Sequence, residues 1–230
     1  MPNPENWQIK LDGKFSLALS LLTVLLFICF EYILLSRLTA DRYLRSGRNY
    51  LEEARSLPKS QLVEKSISYT KTLKSFESSI RMNPICSRPH FDYGEVLSQI
   101  TKVPELRRTI DLKSPEVSKS GTDNFLNLAK DKYIQAIVRE PTDAIYHERM
   151  GDIYNLLGDS EKAGREFKNA VMLDPQNINI RIYLAQFFFF KGKQSDFIYQ
   201  IKKAIDFGGQ KEVLQFLKSI GREDLMTELQ

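Results

Sequence analysis

The stretch "AIYHERMGDIYNLLGDSEKAGREFKNAVMLDPQN", residues 144–177, carries the pattern from which the rest of the chain can be read. Gly151 and Tyr154 stand as G-x2-Y, Gly158 follows, Ala163, Phe167 and Ala170 stand as A-x3-F-x2-A, and Pro175 comes last. Small residues at Gly151, Ala163 and Ala170 let two helix backbones approach closely, while Tyr154 and Phe167 fill the space between them. Pro175 stops the second helix, because its ring fixes φ and removes a backbone donor. The spacing therefore predicts a helical hairpin, and a hairpin with one apolar stripe must be covered by a neighbour.

The neighbours are in the sequence. From residue 178 the frame repeats: Leu184 and Ala185 stand in place of a Leu-Gly pair, Phe188 of the tyrosine, Gly192 of the turn glycine, Ile201 of the phenylalanine and Ala204 of the alanine. Phe197 departs from it, standing where the pattern has a small alanine, and Gly208-Gly209 stands in place of the proline. Upstream, Ala129, Tyr133, Ala136 and Pro141 have second-helix spacing, and Tyr93, Gly94 and Leu97 first-helix spacing. These are two halves of one unit separated by an insertion at 101–123. Before them, Thr72, Phe76, Ser79 and Pro84, with Gly47 and Tyr50, form a degenerate hairpin over 41–86.

On these residues the chain resembles the tetratricopeptide repeat family. The resemblance implies an all-α solenoid of three to four hairpins, over 41–86, 87–143, 144–177 and 178–209. Stacked hairpins need a cap at the open end. Residues 210–230 supply one, with Val213, Leu214, Phe216, Leu217 and Ile220 on one face and Gly221 as a helix stop.

The N-terminal part reads differently. From Phe15 to Leu35, "FSLALSLLTVLLFICFEYILL" carries a single ionisable residue, Glu31. A helix of about 21 residues matches a hydrocarbon core of about 30 Å. We read 1–14 as a tail and 15–38 as a transmembrane helix. A cleaved signal peptide is the rival, but its apolar region is normally about 7 to 15 residues, and the nearest cleavage pattern, "LTA" before Asp41, lies beyond Glu31 and Arg37. Glu31 either snorkels to the headgroups beside Tyr32 and Arg37 or contacts a partner membrane helix. Arg37, Arg42, Arg45 and Arg48 follow the span, whereas Lys10 and Lys14 precede it, so the positive-inside rule leans toward a cytoplasmic solenoid without excluding the opposite side. Tyr43, Gly47, Tyr50, Ala54 and Leu57 recur at helical steps up to Pro58, so the membrane helix is expected to run on into the first hairpin.

Composition excludes several functions. The net charge of +4 comes from 33 basic and 29 acidic residues that are interspersed, which argues against a nucleic-acid surface. Cys29 and Cys86 form no CxxC motif or disulfide framework. No HExxH, GxSxG, Walker or GxGxxG pattern is present, so no enzyme activity, cofactor, metal or small-molecule substrate is expected. His90 and His147 both fall at the fourth position of a hairpin, where the resemblance implies a packing residue rather than a catalytic pair.

The resemblance also implies where binding would occur, on a concave face lined by the second, fifth, ninth, twelfth and thirteenth positions of each hairpin. Those are Arg88, Phe91, Glu95, Ser98 and Gln99, then Ile145, Glu148, Asp152, Asn155 and Leu156, then Asn179, Ile182, Gln186, Phe189 and Phe190. Apolar anchors among amides and carboxylates suit an extended peptide or a helix laid in a groove. Repeats that clamp a tail carboxylate use Lys, Arg and Asn there, whereas this face offers Glu95, Glu148 and Asp152. Of the four consecutive phenylalanines, Phe188 and Phe187 are assigned to the core, and Phe189 and Phe190 to the groove or the capping tail. The chain is thus expected to be a membrane-anchored interaction scaffold. The alternative is a structural subunit of an envelope complex, held by its membrane helix while the solenoid merely packs.

Overall fold

The computed structural model of the chain describes residues 13–110 and 122–229. Among them there are helices and connecting turns and no strand. Part of the expected insertion, 111–121, lies outside the described residues, as does most of the expected N-terminal tail.

The first helix, α1 (Gly13–Ser56), is continuous over 44 residues, about 66 Å. Its first half is long and apolar enough to cross a membrane, and none of that apolar window is buried within the protein. Its second half is the first helix of a hairpin, so no break separates 15–38 from 41–86. Ala40, Leu44, Leu51 and Ala54 are buried against α2 (Leu62–Met82), which returns antiparallel. The second hairpin is α3 (Ser87–Thr101) with α5 (Thr122–Arg139), the third α6 (Ala144–Leu156) with α7 (Ser160–Leu173), and the fourth α8 (Ile178–Phe190) with α9 (Gln194–Asp206). Within 101–110 the chain forms a short helix, α4 (Pro104–Thr109), whose Leu106 is fully buried, with Ile110 nearly so. The expected single capping helix is two, α10 (Gln210–Ser219) and α11 (Asp224–Leu229), because Gly221 takes φ 67° and turns the chain between them.

One contact recurs. In three hairpins a glycine of the first helix lies under an aromatic ring of the second: Gly47 under Phe76, Gly94 under Tyr133 and Gly151 under Phe167. A methyl group on Gly94 or Gly151 would come within 3.0 or 2.9 Å of the ring, and on Gly47 it would run into Phe76. In sequence these pairs are 29, 39 and 16 residues apart. The second spacing absorbs the insertion, and the first is absorbed by extending α1 to Ser56 and starting α2 at Leu62. Thr72, Ser79, Ala129, Ala136, Ala163, Ala170 and Ala204 are all fully buried where the helices approach.

Counting hairpin positions from Ala40, Ser87, Ala144 and Ile178, the third, seventh and tenth positions pack on the preceding hairpin. They are Pro89, Tyr93 and Val96, then Tyr146, Met150 and Ile153, then Ile180, Leu184 and Phe187, and all are buried. The first hairpin has no predecessor and carries Arg42, Ser46 and Asn49 there, a polar end face. Asp143, Asp159 and Asn177 cap α6, α7 and α8 by accepting from Ile145, Lys162 and Ile180 backbone amides.

Candidate partner-binding groove

The ninth position of one first helix faces the sixth position of the next, and at two junctions the pair is ionic. Arg48 Nε lies 2.7 Å from Asp92 Oδ2, and Arg149 Nε lies 3.2 Å from Glu95 Oε1. Arg88 closes on the other oxygen of Asp92 at 3.0 Å, and Tyr133 donates its hydroxyl to Glu95 Oε1 at 2.6 Å. The groove between the first and second hairpins and between the second and third is thereby laced by internal ion pairs. At the third junction the partner of Asp152 would be Tyr183, which carries no charge, and there the face opens. A cleft of about 260 Å³ is lined by Ser98, Lys102, Asp152, Asn155, Leu156, Phe167, Tyr183, Gln186, Phe187 and Phe190.

The cleft has two ends. Leu156 is 54% exposed and Phe190 67%, an unusual exposure for residues flanked by a buried aromatic cluster. Below Phe190, Phe187 packs on Phe167 with ring centroids 5.5 Å apart. The other end is acidic. Arg149 sits among Glu148, at 2.9 Å, Glu95 and Asp152, at 3.5 Å, with its guanidinium 5.5 Å from the Tyr183 ring. The approach to Glu148 Oε1 is an ion pair without hydrogen-bond geometry, so that oxygen keeps an unused lone pair. Burial pushes the Glu148 carboxyl up to about 7, helped by Asp152 and Glu95 and opposed by Arg149. Burial also raises Asp152, against the pull of Arg149 and Lys102.

Five expected groove residues line this cleft: Asp152, Asn155, Leu156, Gln186 and Phe190, together with Ser98 of the split hairpin. Others lie elsewhere. Phe91 is buried, stacked on Tyr146 at 4.6 Å, because the tyrosine at position three of the next hairpin covers it. Glu148 is buried beneath the cleft, Ile145 and Asn179 are exposed at the start of their helices, and Ile182 is half-buried on the fourth-hairpin core. Phe189 turns to the second helix, 5.4 Å from Phe197, which in turn meets Phe216 of the cap at 6.4 Å. Phe197 in place of alanine thus gives Phe189 a covering ring, and only Phe190 of the run faces open space. Lys102, Tyr183 and Phe187 were not on the expected face. Lys102 follows the last turn of α3, and the pattern assigns positions six and ten to packing.

The two histidines do not meet. His147 bridges α7 and the preceding turn, with Nδ1 2.7 Å from Glu166 Oε2 and Nε2 3.0 Å from the Pro141 carbonyl. Arg181, also at position four, does the same one hairpin later, donating to the Pro175 carbonyl at 2.7 Å and to Gln200 Oε1 at 2.9 Å. The hydrogen bond to Glu166 raises the His147 pKa, against the effect of burial. At His90 the staple is weakened: Arg139 donates to the Pro84 carbonyl, Lys132 stands at the position of Glu166, and the two buried ring nitrogens make no hydrogen bond of good geometry, Pro84 being the one backbone group near enough to favour the charged ring. Burial, then Arg139 and Lys132, lower its pKa to about 4. Among the described residues no group of three His, Cys, Asp or Glu is placed to hold a metal ion.

No protein-family model matches the sequence, and no curated protein matches it. Solved structures do match in shape. YrrB, a tetratricopeptide repeat protein, superimposes with a TM-score of 0.50 at 14% identity, covering 82% of this chain and 90% of its own. A MamA crystal structure gives 0.49 at 15% identity, covering 72% of this chain and 88% of its own. The OM64 repeat domain of Arabidopsis gives 0.48 at 10%, covering 66% and 96%. With four stacked helical hairpins, three of them closed by a glycine under an aromatic ring, residues 40–206 have the tetratricopeptide-repeat fold.

Proposed function

We propose that the protein is a membrane-anchored repeat scaffold whose third and fourth hairpins hold a segment of a partner protein. The observation that carries this is the cleft at the one junction where the ion-pair lacing stops, with exposed Leu156 and Phe190 above a buried aromatic floor. Its occupant would be a peptide or helix with an apolar anchor, and a basic side chain would answer Glu95, Glu148 and Asp152, three carboxylates that share Arg149, with Lys102 also acting on Asp152. YrrB is described as having an unusual peptide-binding site, which supports a binding role on this fold.

Anchoring rests on the uncovered apolar half of α1. The helix runs unbroken through Ala40 and Asp41, the only nearby cleavage pattern, and the Ala40 carbonyl accepts the Ser79 hydroxyl at 2.7 Å. A signal peptidase would have to unwind that turn. No catalytic, nucleic-acid or cofactor role is proposed.

The test is partner recovery after crosslinking. Leu156→Glu with Phe190→Glu should abolish recovery while the protein stays folded and in the membrane. Replacing residues 17–35 by an unrelated apolar span should leave recovery intact. The reverse pattern would establish the assembly-subunit reading, in which Glu31 and the membrane helix hold the complex.

A further inference from the structure

The hydrogen bond between Ser79 and Ala40 fixes where the first hairpin stands relative to the end of the apolar helix. Ala40 lies five residues beyond Leu35, about 7.5 Å along α1. Helix α2 runs antiparallel to α1, back toward the apolar end, with Phe76 over Gly47 and then Ser79 Oγ on the Ala40 carbonyl at 2.7 Å. Met82, three residues further on, is about 4.5 Å lower, which brings it within about 3 Å of the level of Leu35. The chain then turns at Asn83, Pro84, Ile85 and Cys86 before α3 leads away again. Such a turn lies inside the interfacial zone, which adds about 5 to 8 Å on each side of the hydrocarbon core.

The residues at this turn suit that zone. Met82 is 41% exposed and Ile85 69%, and Leu38, on α1 at the same hairpin end, is 60% exposed. The turn is braced rather than loose: the Asn83 amide donates to the Ser79 carbonyl at 2.9 Å, Cys86 to the Asn83 carbonyl at 3.3 Å, and Arg139 donates to the Pro84 carbonyl. Val138, beside Arg139, is 71% exposed and extends the apolar edge to the second hairpin. Just above stand Arg37, Arg42 and Arg81, all exposed, Arg81 only loosely paired with Glu77 at 3.8 Å. Apolar tips below and arginines above form the layering of a surface that meets lipid headgroups and the first carbons of their chains.

We infer that the turn between α2 and α3 is a second membrane contact: Met82 and Ile85 enter the interface of the bilayer spanned by α1, and Arg37, Arg42 and Arg81 meet lipid phosphates. The inference rests on α1 crossing that bilayer. Its consequence is mechanical, since two points of contact fix the inclination of the solenoid and keep the groove at a constant height and facing.

The experiment uses the full chain with Cys29→Ala and Cys86→Ser, carrying one cysteine at a time through Ile85→Cys, Phe30→Cys or Glu161→Cys. Each is labelled with an environment-sensitive fluorophore and reconstituted in phosphatidylcholine and phosphatidylglycerol vesicles containing nitroxide lipids of shallow or deep label. The label at 30 should be quenched most by the deep nitroxide, and the label at 161, at the start of α7 on the far edge, by neither. The label at 85 should emit to the blue of the label at 161 and lose most of its emission to the shallow nitroxide. A label at 85 as red and unquenched as that at 161, with the label at 30 still quenched, would overturn the second contact and leave the anchor standing. An unquenched label at 30 would remove the anchor and this inference together.

Discussion

His90 and Glu148 are buried titratable groups with opposite effects on stability, and their balance can be worked through. His90 has a folded pKa of about 4 against an ordinary 6.5, so between those values the unfolded chain binds a proton that the folded chain refuses. Stability falls as the pH drops through that window, and at pH 5 the loss is about 2 kcal/mol. Glu148, at about 7 against 4.5, behaves oppositely: the folded chain binds the extra proton. Lowering the pH from 7.5 to 5 removes the cost of a buried carboxylate and adds about 2 kcal/mol. Over this window the two cancel to within about 1 kcal/mol, so these groups leave the wild-type profile flat. His90→Leu removes the loss alone and should be more stable at pH 5 than at pH 7.5, by about 2 kcal/mol relative to the wild-type difference. Glu148→Gln should shift that difference by a similar amount the other way. His147, whose pKa is raised by Glu166, is present in all three proteins; its contribution is full below its ordinary pKa and is lost as the pH rises through the folded value. The assay is urea unfolding of the full chain in detergent, followed by far-UV circular dichroism at both pH values. Identical pH dependence in wild type and His90→Leu would refute the reasoning, because it would mean that His90 is not held neutral by burial.

Further outcomes follow from the packing. Gly47→Ala, Gly94→Ala and Gly151→Ala should each lower the thermal midpoint, at a cost of about 1 to 3 kcal/mol, with Gly47 worst because its methyl would meet Phe76 most closely. Phe197→Ala restores the small residue that the repeat pattern has at this position, yet it should destabilise by about 3 to 5 kcal/mol, since Phe189 and Phe216 would lose the ring they rest on. Calorimetric scans of these variants would check both; a neutral Phe197→Ala would mean that the fourth hairpin closes as an ordinary repeat.

The hairpins were legible because backbone approach leaves a signature that survives insertion: a glycine or alanine must face a ring whatever the loop between them does. That is why Gly94 and Tyr133 could be joined across the interruption, while the helical steps of Tyr43, Gly47, Tyr50, Ala54 and Leu57 carried the apolar N-terminal helix on into the first hairpin. The groove was legible only in part. Position rules assume that a concave residue is free, but whether it is free depends on the next hairpin, as Phe91 shows by being covered by Tyr146. Glu148 likewise sits under the cleft with Arg149 rather than on its surface. Lys102 and Tyr183 were missed because they reach the cleft from a helix end and a packing position, and only the relative placement of three helices brings them there. The two cap helices were read as one because Gly221 marks a stop without showing that a helix resumes.

The central claim is that the open junction between the third and fourth hairpins is where a partner is held. A photoreactive residue placed at Phe190 in the whole chain, in the cells that produce it, tests it most directly. The account predicts a discrete protein adduct that disappears with Leu156→Glu and is absent when the probe stands at Glu161. An adduct that persists with Leu156→Glu, or that forms equally from Glu161, would contradict it.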